Sequence, residues 1–201
     1  PRRSPVAAGP TERVLHISLR RGDTPSHPSL EAALDALGAY RCLRWAEIQQ
    51  QRGAQAVRDE TLRTIREHAP TLIWMQVQQN SIYSERALLA AMKAAAPPGC
   101  MIVSWTGDVR TDVGEPCQRW QVAQCQGIDL FLSGNCTYPI DLRLKHGVSA
   151  RTGYMMCAAD EWQNRPRPEA KPEDWAGAGK AVFVGGDHAA HGRSTRMQIL
   201  R

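Results

Sequence analysis

Short apolar runs alternate with amphipathic stretches along most of the chain. The runs are rich in branched and aromatic residues, as buried strands are, and they lie at 14–19, 40–46, 71–77, 100–105, 128–132 and 148–155. Apolar residues between them recur at helical spacing and predict helices at 30–37, 55–69, 85–96, 115–126 and 139–146. Ser29 and Ser84 are the predicted N-caps of the first and third helices, and Gly38, Pro70 and Gly147 the predicted stops.

This alternation indicates the fold class. Strand and helix alternate at intervals of roughly 25 to 30 residues, which is the rhythm of βαβ units, and such units build parallel sheets. The predicted strands are apolar throughout, as expected when helices cover both faces of a sheet. We therefore predict an α/β fold over residues 13–157, a Rossmann-like, mostly parallel sheet with helices on both faces.

The two ends of the chain have a different character. Residues 1–12 predict a flexible tail, and residues 158–179 are rich in Pro, Glu, Ala and Gly, which is typical of a linker. Residues 180–201 hold an apolar run, two glycines and a helix-forming stretch, and predict the first strand and helix of a second, truncated domain. Because one strand and one helix cannot bury their own apolar faces, we expect the natural protein to continue, or this unit to dock on the first sheet.

Composition limits the class of protein. Of the 201 residues, 42% are hydrophobic and 22% charged, which is ordinary globular composition. No apolar run approaches the ~20 residues of a membrane helix, and no apolar signal segment follows the first arginines. The six cysteines include no C-x-x-C pair, which favours reduced thiols. We expect a soluble, cytoplasmic protein.

The net charge of +5 suits an anionic ligand, although a solvated surface rich in arginine explains it equally well. The chain has no G-x-S-x-G nucleophile elbow, no helix-turn-helix signature and no alternation of aromatic and basic residues. These absences argue against a serine hydrolase and against the common nucleic-acid-binding modules.

The candidate binding residues follow the predicted strands. Ligands of open parallel sheets bind beyond the carboxyl ends of the strands, and the loops there include Arg20 and His27 after the first strand. Amides and hydroxyls in these loops suit a hydroxyl-rich ligand, whereas turn and capping chemistry is the alternative for any single residue. The predicted substrate-binding residues are Asp23, Gln76, Asn80, Trp105, Gly107, Arg110 and Asn135.

Asp108 is the candidate catalytic residue. It follows Trp105 and Gly107 at the end of the fourth strand, where a partly buried carboxylate can act as a general base. The alternative is a salt bridge with Arg110, which would keep the carboxylate ionised and inert.

The second predicted unit carries a candidate phosphate loop. Gly185 and Gly186 follow its strand, and the helix-forming stretch that begins at Arg193 follows them. Backbone N–H groups at a helix start favour phosphate, but the full G-x-G-x-x-G and Walker patterns are absent. His188 and His191 have H-x-x-H spacing without the glutamate of H-E-x-x-H, so we predict no metal site.

Three short motifs carry a resemblance to a known family. They are Val-Ser-Trp-Thr-Gly-Asp-Val-Arg at 103–110, Asp-Leu-Phe-Leu-Ser-Gly-Asn at 129–135 leading to Leu-Lys-His-Gly at 144–147, and Val-Phe-Val-Gly-Gly at 182–186. With these motifs, the chain resembles the amino-terminal half of a two-domain GT-B glycosyltransferase, closest to the spore-coat maturation type and related group 1 enzymes.

The resemblance implies a function. In such enzymes the first domain shapes the acceptor site, the second holds a nucleotide diphosphate sugar as donor, and no cofactor or metal is obligatory. Asp108 and Asn135 would then face the acceptor or the transferred sugar, and Gly185, Gly186 and Arg193 the diphosphate. Because most of the second domain is absent, we do not expect this chain alone to be an efficient transferase. The alternatives are a non-enzymatic nucleotide- or metabolite-binding module, and a glycosyltransferase whose acceptor is modified DNA.

Overall fold

A computed structural model of the chain describes residues 12–20, 22–23, 27–77, 81–107 and 117–155. The strands are β1 (Glu12–Ser18), β2 (Gly38–Arg44), β3 (Leu72–Gln76), β4 (Met101–Thr106), β5 (Leu130–Ser133) and β6 (Arg151–Tyr154). The helices are α1 (Pro28–Asp35), α2 (Trp45–His68), α3 (Arg86–Ala95), α4 (Arg119–Cys125) and α5 (Tyr138–His146), with one 3-10 turn at Ile82–Ser84. Residues 1–11 of the predicted tail, the predicted linker and the predicted second unit at 180–201 lie outside the described residues.

The six strands form one sheet. Their order is β2-β1-β3-β4-β5-β6, and each neighbouring pair is parallel. This arrangement confirms the predicted Rossmann-like α/β fold, with a sheet that is parallel throughout rather than mostly parallel in the described ranges.

The helices divide unequally between the two faces of the sheet. Side chains of α2 to α5 pack with Leu15, Ile73 and Ile102 in the larger core. The alternate strand positions, such as Val14, Trp74 and Val103, pack with Leu34 and Leu30 of α1 in a smaller core. Right-handed crossovers explain the division, because the connection from β1 to β2 runs in the opposite direction from those that lead to β4, β5 and β6.

The first helix ends earlier than predicted. Its last residue is Asp35, and Ala36 rather than Gly38 is the C-cap. Gly38 instead begins β2, with φ of 154°, and a Cβ there would lie 2.1 Å from the carbonyl oxygen of Glu12. Glycine is therefore required by the close approach of β1 and β2. The predicted N-cap Ser29 is also wrong, because it lies inside α1 and His27 holds the cap position.

The second helix is longer than predicted. It begins at Trp45, so the predicted strand ends two residues too late, at Ala46, and the predicted helix starts ten residues too late. Gly53 adopts non-helical angles (φ 83°, ψ 174°) and divides α2 into two pieces. The first piece is fixed by Trp45, whose buried ring contacts Tyr83 edge-on at 5.7 Å. Neither α2 nor any other helix in the described ranges is long and apolar enough to cross a membrane.

Several later boundaries shift by a few residues. Ser84 is the last residue of the 3-10 turn rather than a helix N-cap, and Glu85 precedes α3. Leu89 is fully buried in α3, whereas Ala87 is exposed. The predicted fourth helix overlaps residues outside the described ranges, and its described part begins at Arg119. Gly147 is confirmed as the stop of α5, with a left-handed φ of 56°.

Five of the six cysteines lie in the described ranges, and all five are free thiols: Cys42, Cys100, Cys117, Cys125 and Cys136. Burial raises the pKa of Cys100 and of Cys117 to about 11. Burial raises the pKa of Cys125 still further, since this side chain is buried in the larger core. Cys136 is the exposed member of the set.

Candidate functional site

The strand order fixes where a ligand site is expected. β1 lies between β2 and β3 in the sheet. From β1 the chain passes to β2 on one side, and from β2 it crosses to β3 on the other side of β1. The connection after β1 runs through α1 on one face, whereas the connection after β3 runs through α3 on the other. The carboxyl ends of β1 and β3 are thus a topological switch point, where ligands of doubly wound sheets bind.

Four side chains surround this switch point, and we name them the switch-point cluster: His16, His27, Gln76 and Trp105. Gln76 and Trp105 are register partners on β3 and β4. His27, just before α1, lies over both, with its Nδ1 2.6 Å from the Nε2 of Gln76 and its ring edge-on to Trp105 at 5.5 Å. The cluster therefore joins two predicted binding residues to a histidine from the loop after β1.

His27 is the accessible member of the cluster. It is half-buried, whereas Gln76 is 0% and Trp105 is 3% exposed. With the Gln76 amide donating to Nδ1, the neutral ring carries its proton on Nε2, which can donate to a ligand oxygen. Gln76 and Trp105 are therefore placed to orient His27 rather than to meet a ligand directly.

His16 lies deeper, on β1. It is fully buried, its Nδ1 is 2.9 Å from the hydroxyl of Tyr40, and its Nε2 has no hydrogen-bond partner among the described residues. Burial lowers the pKa of His16 to about 4, against the opposing effect of the neighbouring Gln76 amide, and the nearby His27 lowers it as well. His16 is therefore a neutral imidazole at ordinary pH.

The loop between β1 and α1 is held by two arginines. Arg20 binds the carboxylate of Glu31 at 3.1 Å, and Arg44 donates to the carbonyl of Gly22 at 2.9 Å. The N–H of Gly22 in turn donates to Glu47 at 3.2 Å. These contacts tie the chain that leads to His27 to both α1 and α2.

The ends of β4 and β5 form a second part of the same edge. Gly107 and Gly134 touch, since a Cβ at Gly134 would lie 3.3 Å from the Gly107 carbonyl oxygen. The Oδ1 of Asn135 accepts hydrogen bonds from the backbone N–H groups of Thr137 at 2.9 Å and Tyr138 at 3.3 Å. Asn135 thus organises the turn into α5, which is the capping role that was the alternative to ligand binding.

The predicted site residues are only partly brought together. Gln76 and Trp105 meet at the switch point, and Gly107 and Asn135 lie in the adjoining loops. Asp23 is fully exposed and lies 3.5 Å from Arg44, outside the cluster. Six predicted residues lie outside the described residues: Asn80, Asp108, Arg110, Gly185, Gly186 and Arg193.

The pairing of the buried His16 with Tyr40 was not predicted from the sequence. The available signal was a histidine and a tyrosine within two consecutive strands. Within the described ranges, no group of three or more His, Cys, Asp or Glu side chains is placed to hold a metal ion. His188 and His191 lie outside those ranges.

Comparison with known proteins adds nothing to the geometry: no protein-family model, no curated protein and no solved structure matches the chain.

Proposed function

We propose that this chain is the acceptor-side part of a GT-B-type glycosyltransferase, which transfers a sugar from a nucleotide diphosphate sugar to a hydroxyl acceptor. The acceptor binds at the switch point, where His27 donates a hydrogen bond to one of its oxygens. The donor diphosphate is bound by Gly185, Gly186 and Arg193.

The observation that carries the proposal is the His27–Gln76–Trp105 arrangement at the switch point. An imidazole N–H oriented by a buried amide suits an uncharged oxygen ligand, because it supplies direction without requiring a full charge to be desolvated. The short contact from Gln76 and the ring contact from Trp105 fix the imidazole from two sides. This pre-organisation suits a site that must align an acceptor hydroxyl with a donor carbon.

In the proposed reaction, the acceptor oxygen attacks the anomeric carbon of the donor. Its proton passes to Asp108, and the bond between the anomeric carbon and the diphosphate oxygen breaks, so that the diphosphate leaves with the electron pair. Gly185 and Gly186 would stabilise the leaving diphosphate through backbone N–H groups. His27 positions the acceptor and carries no proton in this step.

The test measures release of nucleotide diphosphate by the natural full-length protein from a panel of uridine, guanosine, adenosine and thymidine diphosphate sugars, with and without mixed sugar acceptors. Asp108→Asn should lower kcat by about 10²-fold or more without weakening the thermal stabilisation by the donor. His27→Ala should raise KM for the acceptor more than it lowers kcat. His68→Ala, at the end of α2, is the matched control and should leave both constants unchanged.

Other outcomes identify the alternatives. A nucleotide that stabilises the protein without turnover points to a binding module instead. DNA binding whose affinity falls steeply with salt points to a modified-DNA acceptor. A folded, fully active Asp108→Asn variant removes Asp108 from the mechanism.

A further inference from the structure

Exposed apolar side chains gather at the β6 end of the sheet. In the part of the chain that the structure describes, four large hydrophobic residues are exposed: Leu37 at 48%, Ile140 at 54%, Leu144 at 79% and Tyr154 at 52%. The last three line a single groove of about 350 Å³ between α5 and β6. We name this feature the β6 groove, and its lining includes Ile140, Arg143, Leu144, Thr152, Gly153 and Tyr154. Contiguous apolar surface of this kind marks an interaction site more often than scattered residues do.

The groove lies beside an open strand edge. β6 pairs with β5 on one side, and no strand of the described ranges pairs with it on the other. The N–H of Arg151 donates to Asp129 at 3.0 Å and that of Met155 to Ser133 at 2.9 Å, so these alternate residues face β5. The backbone N–H and C=O groups of Thr152 and Tyr154 therefore point away from β5, towards the open edge.

The opposite edge of the sheet differs. There β2 carries Arg41, bound to Glu67 at 3.3 Å, and Arg44, bound to Glu47 at 3.3 Å. Charged side chains along an edge strand discourage pairing with another chain. β6 has one charged residue, Arg151, at its first position.

The charge at the groove is positive. Arg143 lines it and is the charged residue among its lining residues. The acids of this region already have partners, because Asp141 binds Lys145 at 2.8 Å and Asp129 binds Lys93 at 2.9 Å. An occupant with a carboxylate would therefore complement Arg143.

We propose that the β6 groove binds an extended, acidic peptide segment of a partner protein, which adds to β6 as a seventh strand. The peptide backbone pairs with the outward groups of Thr152 and Tyr154. One apolar side chain rests on Ile140 and Leu144, and a carboxylate meets Arg143. In strand addition of this kind, main-chain hydrogen bonds provide the affinity and alternate side chains of the peptide provide the specificity.

The test starts from a displayed library of random seven-residue peptides, selected against the full chain, and measures affinity of the enriched peptide by fluorescence anisotropy. We expect enrichment of an acidic residue that alternates with apolar ones. Leu144→Asp and Arg143→Glu should each weaken binding at least tenfold. Leu37→Asp changes an exposed leucine elsewhere and is the matched control, which should bind as the wild type does.

Backbone pairing has its own readout. Tyr154→Pro removes an outward N–H and should abolish binding, whereas Tyr154→Thr keeps that N–H and should retain it. N-methylation of the peptide should abolish binding only when the methylated residue is one of the alternate residues whose N–H groups pair with β6. Circular dichroism and urea unfolding show that each variant is folded.

Three results overturn the proposal. The first is a selection that enriches no sequence. The second is an enriched peptide that binds Leu144→Asp and Tyr154→Pro as tightly as the wild type. The third is a chain that self-associates in light scattering and becomes monomeric with Leu144→Asp, because a second copy would then occupy the groove.

Discussion

The buried imidazole of His16 makes the fold sensitive to acid. Burial lowers the pKa of His16 from 6.5 to about 4, so the folded chain binds a proton less readily than the unfolded chain does. The neutral, buried His16 therefore contributes its full share to the free energy of unfolding above pH 6.5, and this contribution is lost as the pH falls towards 4. The difference, 6.5 − 4 = 2.5 units, corresponds to about 3 kcal/mol at roughly 1.36 kcal/mol per unit.

The surroundings explain why the charged ring remains unfavourable, although the Gln76 side chain opposes the effect of burial. Nδ1 already faces the Tyr40 hydroxyl at 2.9 Å, and the nearest histidine, His27, disfavours a second positive charge. The carboxylate of Glu31, the acid that faces Tyr40 from α1, is bound to Arg20 at 3.1 Å. A proton on His16 would thus be buried without a free counter-charge among the described residues.

The assay compares wild type and His16→Gln by urea unfolding between pH 7.5 and pH 4. Between pH 7.5 and pH 4, the free energy of unfolding of the wild type should fall by about 3 kcal/mol more than that of the variant, because glutamine does not titrate. Tyr40→Phe is the matched control. It should lower the free energy of unfolding by about 1 kcal/mol at every pH. It should also show the same pH dependence of stability as the wild type, since the imidazole of His16 remains. A difference between wild type and His16→Gln that is constant with pH would refute the reasoning.

Three other predictions concern packing and thiol reactivity. Gly38→Ala should lower the free energy of unfolding by about 2 kcal/mol or more in urea unfolding, because its Cβ would lie 2.1 Å from a backbone oxygen. Met92→Ala should cost about 3 kcal/mol in the same measurement, since Met92 is fully buried in the larger core. Cys136, which is exposed, should be alkylated by iodoacetamide in native protein, whereas Cys125 should react only after unfolding, as mass spectrometry of digests can show.

The strands could be predicted because burial of both faces of a strand requires apolar residues at consecutive positions of the sequence. β1 and β3 contain short, mainly apolar runs, Val14–Ile17 and Ile73–Met75, and the structure buries both faces of these runs. The first piece of α2 has no comparable pattern of apolar residues. Its residues 47–52 are almost all polar, and the helix is fixed there by the packing of Trp45 against Tyr83, which lies 38 positions away along the chain.

The candidate site could be predicted only as a region. The rule for parallel sheets places polar residues at the carboxyl edge, and Gln76 and Trp105 are indeed neighbours there. Which side chain reaches solvent is set by how α1 lies on the sheet, and this placement puts His27 above the other two. The sequence also carries no sign that Asn135 turns its oxygen towards the start of α5, because that depends on the angles of the turn.

The position of α1 connects the fold to the proposed acceptor site. α1 has eight residues, too few to be stable alone, and among the described helices it alone packs in the smaller core. Leu34 and Glu31 are its buried side chains, and Glu31 is bound to Arg20 in the loop that leads to His27. Helix and loop are thus coupled through one ion pair, because displacement of either separates Arg20 from Glu31. The same displacement would lift His27 from Gln76 and Trp105, so the geometry of the site depends on where α1 lies on the sheet.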